Sequence, residues 1–349
     1  MPAFGCRRNA PSAPAGLRGA AGTAAPQTSR AARIVSISPD ATEILYAIGA
    51  GDRLAGVCTF CNYPDTVRDL PRVGGYIDPN LERLLSLRPD LVIVRGTIES
   101  VEMLCRANGI EIYKDPTESL ADMERTITDL GRLTGHAAAA DGLIASIRRE
   151  LDAVRQRVAH RPRPRVLITI SRTPDRLEGI YTAAKGSFLD ELIEIAGGQN
   201  IFGDQDVRYP VVSTEAILVR QPEVILEAMP ETDITDELIE KVRRQWAELG
   251  PLPAVRSNRI HVLRESYTTR PSPRVTQTAA HWAKLLHPSE PPTPVGGDVE
   301  TPDRVRNSTR PSEHSTPVGG DIATPTTLEM RAIPRPAGRG SEPRPEDDR

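Results

Sequence analysis

The sequence predicts an α/β protein of two Rossmann-like lobes, each with a central parallel sheet, bridged by one long α-helix. Two observations predict it. First, one pattern occurs twice at a fixed offset. Tyr76, Glu82 and Pro89 in GGYIDPNLERLLSLRPDLVIV return as Tyr209, Glu215 and Pro222 in VRYPVVSTEAILVRQPEVILE, each 133 positions later (209−76, 215−82, 222−89). In each copy the aromatic precedes the Glu by six residues, and the Glu precedes the Pro by seven, ahead of an acidic residue and an apolar run. Second, between Ala137 and His160 the residues Leu143, Ile147, Leu151, Val154 and Val158 step by 4, 4, 3 and 4. That is the period of one face of a helix. At 1.5 Å per residue it spans roughly 35 Å, enough to run along both lobes and tie them together.

The elements follow in order. Residues 1–32 are rich in Ala, Arg, Pro, Ser and Gly, contain no acidic residue and no apolar run of a secretory signal, and read as a disordered or leader segment. The N-terminal α/β lobe covers 33–136. It opens on a short apolar strand, RIVSIS, and Pro39 and Asp40 then start the helix ATEILYAI, which the glycines of GAG end. A strand LAGV, a loop CTFCNYP and the first copy of the repeat follow, and LVIV (91–94) reads as a buried parallel strand because it is short and continuously apolar. A helix from about Ile98 and a strand IEIY (110–113) complete a βαβ alternation. The bridging helix covers 137–161, stopped by Pro162 and Pro164.

The C-terminal α/β lobe, 162–287, restarts the theme. RVLITIS (165–171) matches RIVSIS, GSFLDELIEIAGG matches the first helix and its glycine stop, and VILE (224–227) matches LVIV. A loop, RTPDRLEGIYTAAKG, is inserted between strand and helix. IHVL (260–263) is the last strand, and SPRVTQTAAHWAKLL the last helix, with Ser272 as its cap and Pro273 in its first turn. Residues 288–349 read as a disordered Pro/Gly/Thr-rich tail in which TPVGGDVETP (Thr293 to Pro302) recurs as TPVGGDIATP (Thr316 to Pro325).

Composition narrows the function. Charged residues are 26% of the 349 and the net charge is −3, so there is no electrostatic footprint for nucleic acid. No stretch approaches eighteen apolar residues, the length of a membrane-spanning helix. Four cysteines are too few for a disulfide scaffold. Cys58 and Cys61 have C-x-x-C spacing, but Pro64 and the polar turn that follow fit a redox helix poorly. The pair reads as packing or a local disulfide. The histidines lack metal-ligand spacing, and no nucleophile elbow, P-loop or dinucleotide turn occurs, so no catalytic residue and no resident cofactor or metal is expected.

Aromatics are only 4% of the chain, which makes their placement informative. Phe60, Tyr76, Tyr181, Tyr209 and Tyr267 fall in expected strand-to-helix connections. In open α/β sheets these gather at the carboxyl ends of the strands, where ligands bind. Rings from both lobes facing a cleft would suit a large, flat, partly apolar ligand. Arg270, between the last strand and last helix, offers a cation to an amide, carboxylate or phosphate, and Ser266 lies nearby. Glu82 and Glu215 each stand near the start of a short helix. Negative charge offsets the helix dipole there. Two matched exposed glutamates also offer docking points to a two-fold partner carrying arginines.

RIVSISPDATEILYAIGAGDRLAGV, NYP and RVGGYIDPNLERLLSLRPDLVIV, with GSFLDELIEIAGGQNIF, VRYPVVSTEAIL and TTRPSPRV, resemble the cobalamin-type substrate-binding proteins of ABC importers from about Arg33 to His287. The wider group also binds iron siderophores and haem. The resemblance implies an extracytoplasmic monomer that is not an enzyme. It holds a corrinoid between aromatic walls and delivers it to an ABC permease dimer in the membrane. It puts Phe60, Tyr76, Tyr181 and Tyr209 at the pocket aromatics, Arg270 at the pocket arginine, and Glu82 and Glu215 at the glutamates that meet permease arginines. Ser266 stands where that family has an acid, and the missing export signal is a second departure. Alternative readings are a ferric-siderophore or haem binder of the same group, a cytoplasmic corrinoid carrier, and an α/β enzyme using Glu82 and Glu215 as acid and base.

Overall fold

A computed structural model describes residues 31–76, 78–229 and 234–288. The tail expected over 288–349 lies outside the described residues except for Pro288, and so does the leader expected over 1–32 except for Ala31 and Ala32. Those two belong to the fold. Ala31 is buried and its N–H donates to the Leu133 carbonyl at 3.0 Å, while the Ala32 N–H donates to Asp90 Oδ2 at 2.8 Å.

The first lobe runs β1 (Ile34–Ile37), α1 (Pro39–Ala47), β2 (Leu54–Val57), α2 (Leu81–Ser86), β3 (Leu91–Arg95), α3 (Glu99–Asn108), β4 (Glu111–Asp115) and α4 (Leu120–Thr134). Its four strands are parallel in the order β2-β1-β3-β4. The two central strands are apolar nearly throughout and buried, as strands covered by helices on both faces must be. Ser38 caps α1 by accepting from the Ala41 N–H, and Gly49 takes the left-handed conformation (φ +83°) that ends it. The strand expected over 110–113 starts at Glu111 and continues to Asp115. α4 has no counterpart among the expected elements, although Ser119 and Asp122 form a capping box at its start.

α5 (Ala137–Val158) is the bridging helix, 22 residues or about 33 Å long. It buries Ala140, Ile147, Leu151, Val154 and Val158 and packs against α4 of the first lobe and α6 (Phe188–Ile195) and α10 (Val275–Leu286) of the second. Leu143, expected on the same stripe, is half-buried.

The second lobe runs β5 (Arg165–Ser171), β6 (Ile180–Thr182), α6, β7 (Gln199–Asn200), β8 (Val211–Val212), α7 (Thr214–Arg220), β9 (Val224–Ala228), α8 (Asp236–Glu248), α9 (Pro253–Arg256), β10 (Ile260–Leu263) and α10. β7, β5, β9 and β10 are parallel in that order and repeat β2-β1-β3-β4. β6 and β8 add an antiparallel flap, formed partly by the loop inserted after β5. Tyr181 therefore lies on a strand, not in a strand-to-helix connection. Ser272 does not cap the last helix: α10 begins at Val275 with Arg274 before it, and the Ser272 hydroxyl accepts from the Arg274 N–H.

One apolar core runs through both lobes and includes Val166 and Ile168 of β5, whereas Leu167 between them faces a second core with Trp246. This is the two-residue alternation of a strand covered on both faces. The repeat extends to the helix caps. Asn80 and Ser213, also 133 apart (213−80), accept from the N–H of Arg83 and Ala216 and so start α2 and α7 in the same way. Among the described residues, no helix is long and apolar enough to cross a membrane.

Candidate functional site

Each lobe presents one stacked aromatic pair. In the first lobe Phe60 sits in the turn Cys58-Thr59-Phe60-Cys61, closed by the Cys61 N–H donating to the Cys58 carbonyl at 3.2 Å. Tyr76 follows two glycines. Gly74 holds φ +98°, and a Cβ there would lie 2.8 Å from the Asp78 carbonyl, so only glycine brings the chain round at that point. The Phe60 and Tyr76 rings stack with centroids 5.0 Å apart and planes 9° apart. In the second lobe Tyr181, on β6, stacks with Tyr209, just before β8, at 6.0 Å and 28°. All four residues are half-buried, which leaves part of each available. Burial pushes the Tyr76 and Tyr209 phenols well above their ordinary range, so both stay neutral.

A charge cluster is built around the buried Asp40. Asp40, in the first turn of α1, forms an ion pair with Arg95 at the carboxyl end of β3, and Arg95 also donates to the Thr117 carbonyl at 3.0 Å. Burial pushes the Asp40 carboxyl up to about 7; Arg95 and Arg270 oppose this, and Asp115 and Glu43 add to it. Asp115 accepts from the Ser38 hydroxyl at 2.9 Å and the Thr117 N–H at 3.1 Å. Tyr76 feels Asp40 and Arg270, while Tyr209 feels Glu118 and Arg95. The Asp40–Arg95 unit thus acts electrostatically on one tyrosine of each lobe.

Two arginines of the β10–α10 connection grip the first lobe. Arg270, only 10% exposed in its side chain, donates to Asn62 Oδ1 at 2.8 Å and to the Phe60 carbonyl at 3.1 Å, and lies 3.8 Å from Glu43 Oε1. Its guanidinium is thus engaged by protein acceptors that position Phe60. Arg274 forms a two-pronged pair with Glu43 and lies over the rings of Tyr63, at 4.1 Å, and Tyr267, at 4.8 Å. Tyr267 therefore serves the interlobe contact rather than either aromatic pair. Ser266 is half-buried in the turn just before it. Glu82 and Glu215 are exposed in the first turns of α2 and α7. Hydrogen bonds at the helix start hold Glu215 below the usual carboxylate range.

The sequence reasoning missed Asp40, Glu43, Arg95, Glu118 and Arg274. Arg95 carried a usable signal, since it ends a central parallel strand at its carboxyl edge. Glu43 and Arg274 carried none, because they are 231 positions apart and only the fold joins them. Among the described residues, no group of three or more His, Cys, Asp and Glu is placed to hold a metal ion.

Residues 34–267 match the family model described as periplasmic binding protein. A vitamin B12-binding protein of Vibrio cholerae serotype O1 is 32% identical over 247 residues, covering 70% of this chain and 85% of that one. A vitamin B12-binding protein of Yersinia pestis is 28% identical over 268 residues, covering 76% and 89%. Among solved structures, the periplasmic vitamin B12 binding protein BtuF of Vibrio cholerae superposes with a TM-score of 0.61 at 30% identity, covering 73% of this chain and 96% of that one. The periplasmic heme-binding protein RhuT of Roseiflexus sp. RS-1 superposes with a TM-score of 0.62 at 26% identity, covering 73% and 97%. The family model spans most of both lobes and the relatives are matched over most of their own length, so the chain belongs to the periplasmic binding protein family.

Proposed function

We propose that this chain is the extracytoplasmic substrate-binding component of an ABC importer, that it captures a corrinoid such as cobalamin between its lobes, and that it delivers the ligand to a permease dimer as a monomer. The observation that carries the reading is the pair of aromatic stacks, Phe60–Tyr76 and Tyr181–Tyr209, one from each lobe, with the Asp40–Arg95 ion pair acting on a tyrosine of each. Stacked rings offer broad apolar area at little entropic cost, which suits a macrocycle. The likeness to proteins named for vitamin B12 binding supports the corrinoid. Arg95 and Arg274 already face Asp40 and Glu43. That favours a ligand needing little cationic help over an anionic chelate or the carboxylates of haem. In this reading Phe60, Tyr76, Tyr181 and Tyr209 are the walls and Arg270 braces Phe60. Ser266 adds a hydroxyl near the rim, and Glu82 and Glu215 are the permease contacts. The chain works as a binder and not as an enzyme, because Glu82 and Glu215 stand exposed on separate helices instead of lining one site.

The test is titration of the purified protein with cobalamin, haem and ferric hydroxamates, followed by tyrosine quenching and ligand absorbance. Saturation with cobalamin at one equivalent is expected. Binding of haem or a ferric hydroxamate with no response to cobalamin would overturn the ligand assignment and leave the fold argument standing.

A further inference from the structure

The turn carrying Phe60 has a cysteine at each end. The Cys58 and Cys61 sulfurs lie 2.7 Å apart, and both residues are buried, at 0% and 1% exposure. A disulfide bond is ~2.05 Å long, so the two atoms are within ~1 Å of bonding distance. A closed four-residue turn also brings its end Cα atoms within the ~7 Å a disulfide needs. The same turn is fixed from three sides. Arg72 donates to the Cys58 carbonyl at 3.0 Å and to the Cys61 carbonyl, the Thr59 N–H donates to the Gly74 carbonyl at 2.9 Å, and the Thr42 hydroxyl reaches Cys61 Sγ at 3.3 Å. These contacts hold the turn that carries the two sulfurs, and none uses a thiol hydrogen. Cys105, by contrast, is buried on α3 with no sulfur partner among the described residues.

We propose that Cys58 and Cys61 close a disulfide across this turn, and that the bond fixes Phe60 against Tyr76 as a rigid aromatic wall. The family acts in an oxidising compartment, where such bonds persist. The chemistry needs a disulfide oxidant of the glutathione type. One cysteine thiolate attacks it and forms a mixed disulfide while one glutathione thiolate leaves. The other cysteine then displaces the second glutathione thiolate and closes the bond. Two protein thiols lose two protons and two electrons, and one oxidised glutathione becomes two reduced molecules. Because the sulfurs are fully covered in the folded chain, closure occurs during folding, before the turn is packed away.

The bond is tested on the full chain refolded in an oxidised glutathione buffer, unfolded in guanidinium with iodoacetamide and no reductant, and digested for mass spectrometry. The peptide containing Cys58 and Cys61 should be unalkylated and lighter by two hydrogens than its dithiol form. Alkylation of both residues would overturn the proposal. The rigidity is tested by hydrogen exchange of the 58–62 amides, comparing the oxidised chain with the chain reduced and refolded under reductant and with the Cys58→Ala/Cys61→Ala variant. Exchange should be about tenfold faster in both dithiol-free and reduced forms. Equal rates in all three would overturn the role of the bond in holding Phe60. Neither readout depends on which ligand the protein binds.

Discussion

Glu43 of α1 accepts two hydrogen bonds from Arg274 of the second lobe, and its side chain is only 2% exposed. Arg270 lies 3.8 Å from the same carboxylate. One buried acid of the first lobe is thus the meeting point for two arginines of the second. Removing one partner of a buried pair leaves the other charge uncompensated. Arg274→Ala should therefore lower the free energy of unfolding in urea by about 3 kcal/mol. Replacing both members by apolar residues, as Glu43→Leu with Arg274→Met, should cost less than the sum of the single changes. Strict additivity would show that the pair does not act as a unit.

The two aromatic stacks should share the ligand. Tyr76→Ala and Tyr209→Ala should each weaken cobalamin binding by about tenfold, since each removes a stacking surface and part of its apolar area. Tyrosine-to-phenylalanine changes at the same positions should leave the affinity near its starting value, because both phenols are neutral and only their rings are invoked. Isothermal titration of the four variants checks this. A Phe variant as weak as its Ala counterpart would reassign the contact to the hydroxyl.

Burial raises the Asp40 carboxyl from 3.8 in the unfolded reference to about 7 in the folded chain. Between these values the folded state holds a proton that the unfolded state has lost. The contribution of Asp40 to stability is therefore fully present below about pH 4, falls as pH rises toward about 7, and is constant above that. Denaturant unfolding of the parent and of Asp40→Asn at about pH 5, 6 and 8 should show the variant gaining on the parent as pH rises. Parallel pH profiles would mean that Asp40 stays ionised beside Arg95 across the whole range.

Glu82 and Glu215 lie in the first turns of helices already capped by Asn80 and Ser213. Replacing both with Gln should leave the melting temperature and ligand affinity unchanged, because the caps remain. Uptake of labelled cobalamin by cells carrying the matching permease should be abolished. A loss of affinity with uptake retained per bound ligand would move the two residues from docking to the pocket.

The parts of this fold legible in the sequence are those whose burial is uniform. β1, β3, β5 and β9 read as short apolar runs because most of their residues are buried on both faces of the sheet, and α5 reads as a helix because only one stripe of it is buried. The aromatic positions Tyr76 and Tyr209 are legible because duplication puts them in register. β6 and β8, three and two residues long, carry too little pattern to announce themselves, so Tyr181 reads as a loop residue. α4 and α8 are amphipathic with clear caps at Ser119 and Thr235, but their apolar residues are sparse and their charged residues dominate the eye. The interlobe grip is invisible for a deeper reason. Arg270 and Arg274 carry no local sign that their acceptors lie more than 200 positions earlier.

The duplication is not carried through to the walls. On one side the rings sit on a turn and a glycine-flanked bend. On the other, Tyr181 is on a strand paired to β8, directly opposite Val211 and beside Tyr209. One palm is thus carried by a turn and the other by a pair of strands. If the proposed macrocycle, with its unlike axial substituents, lies between them, the two unlike walls should favour one way round over the other.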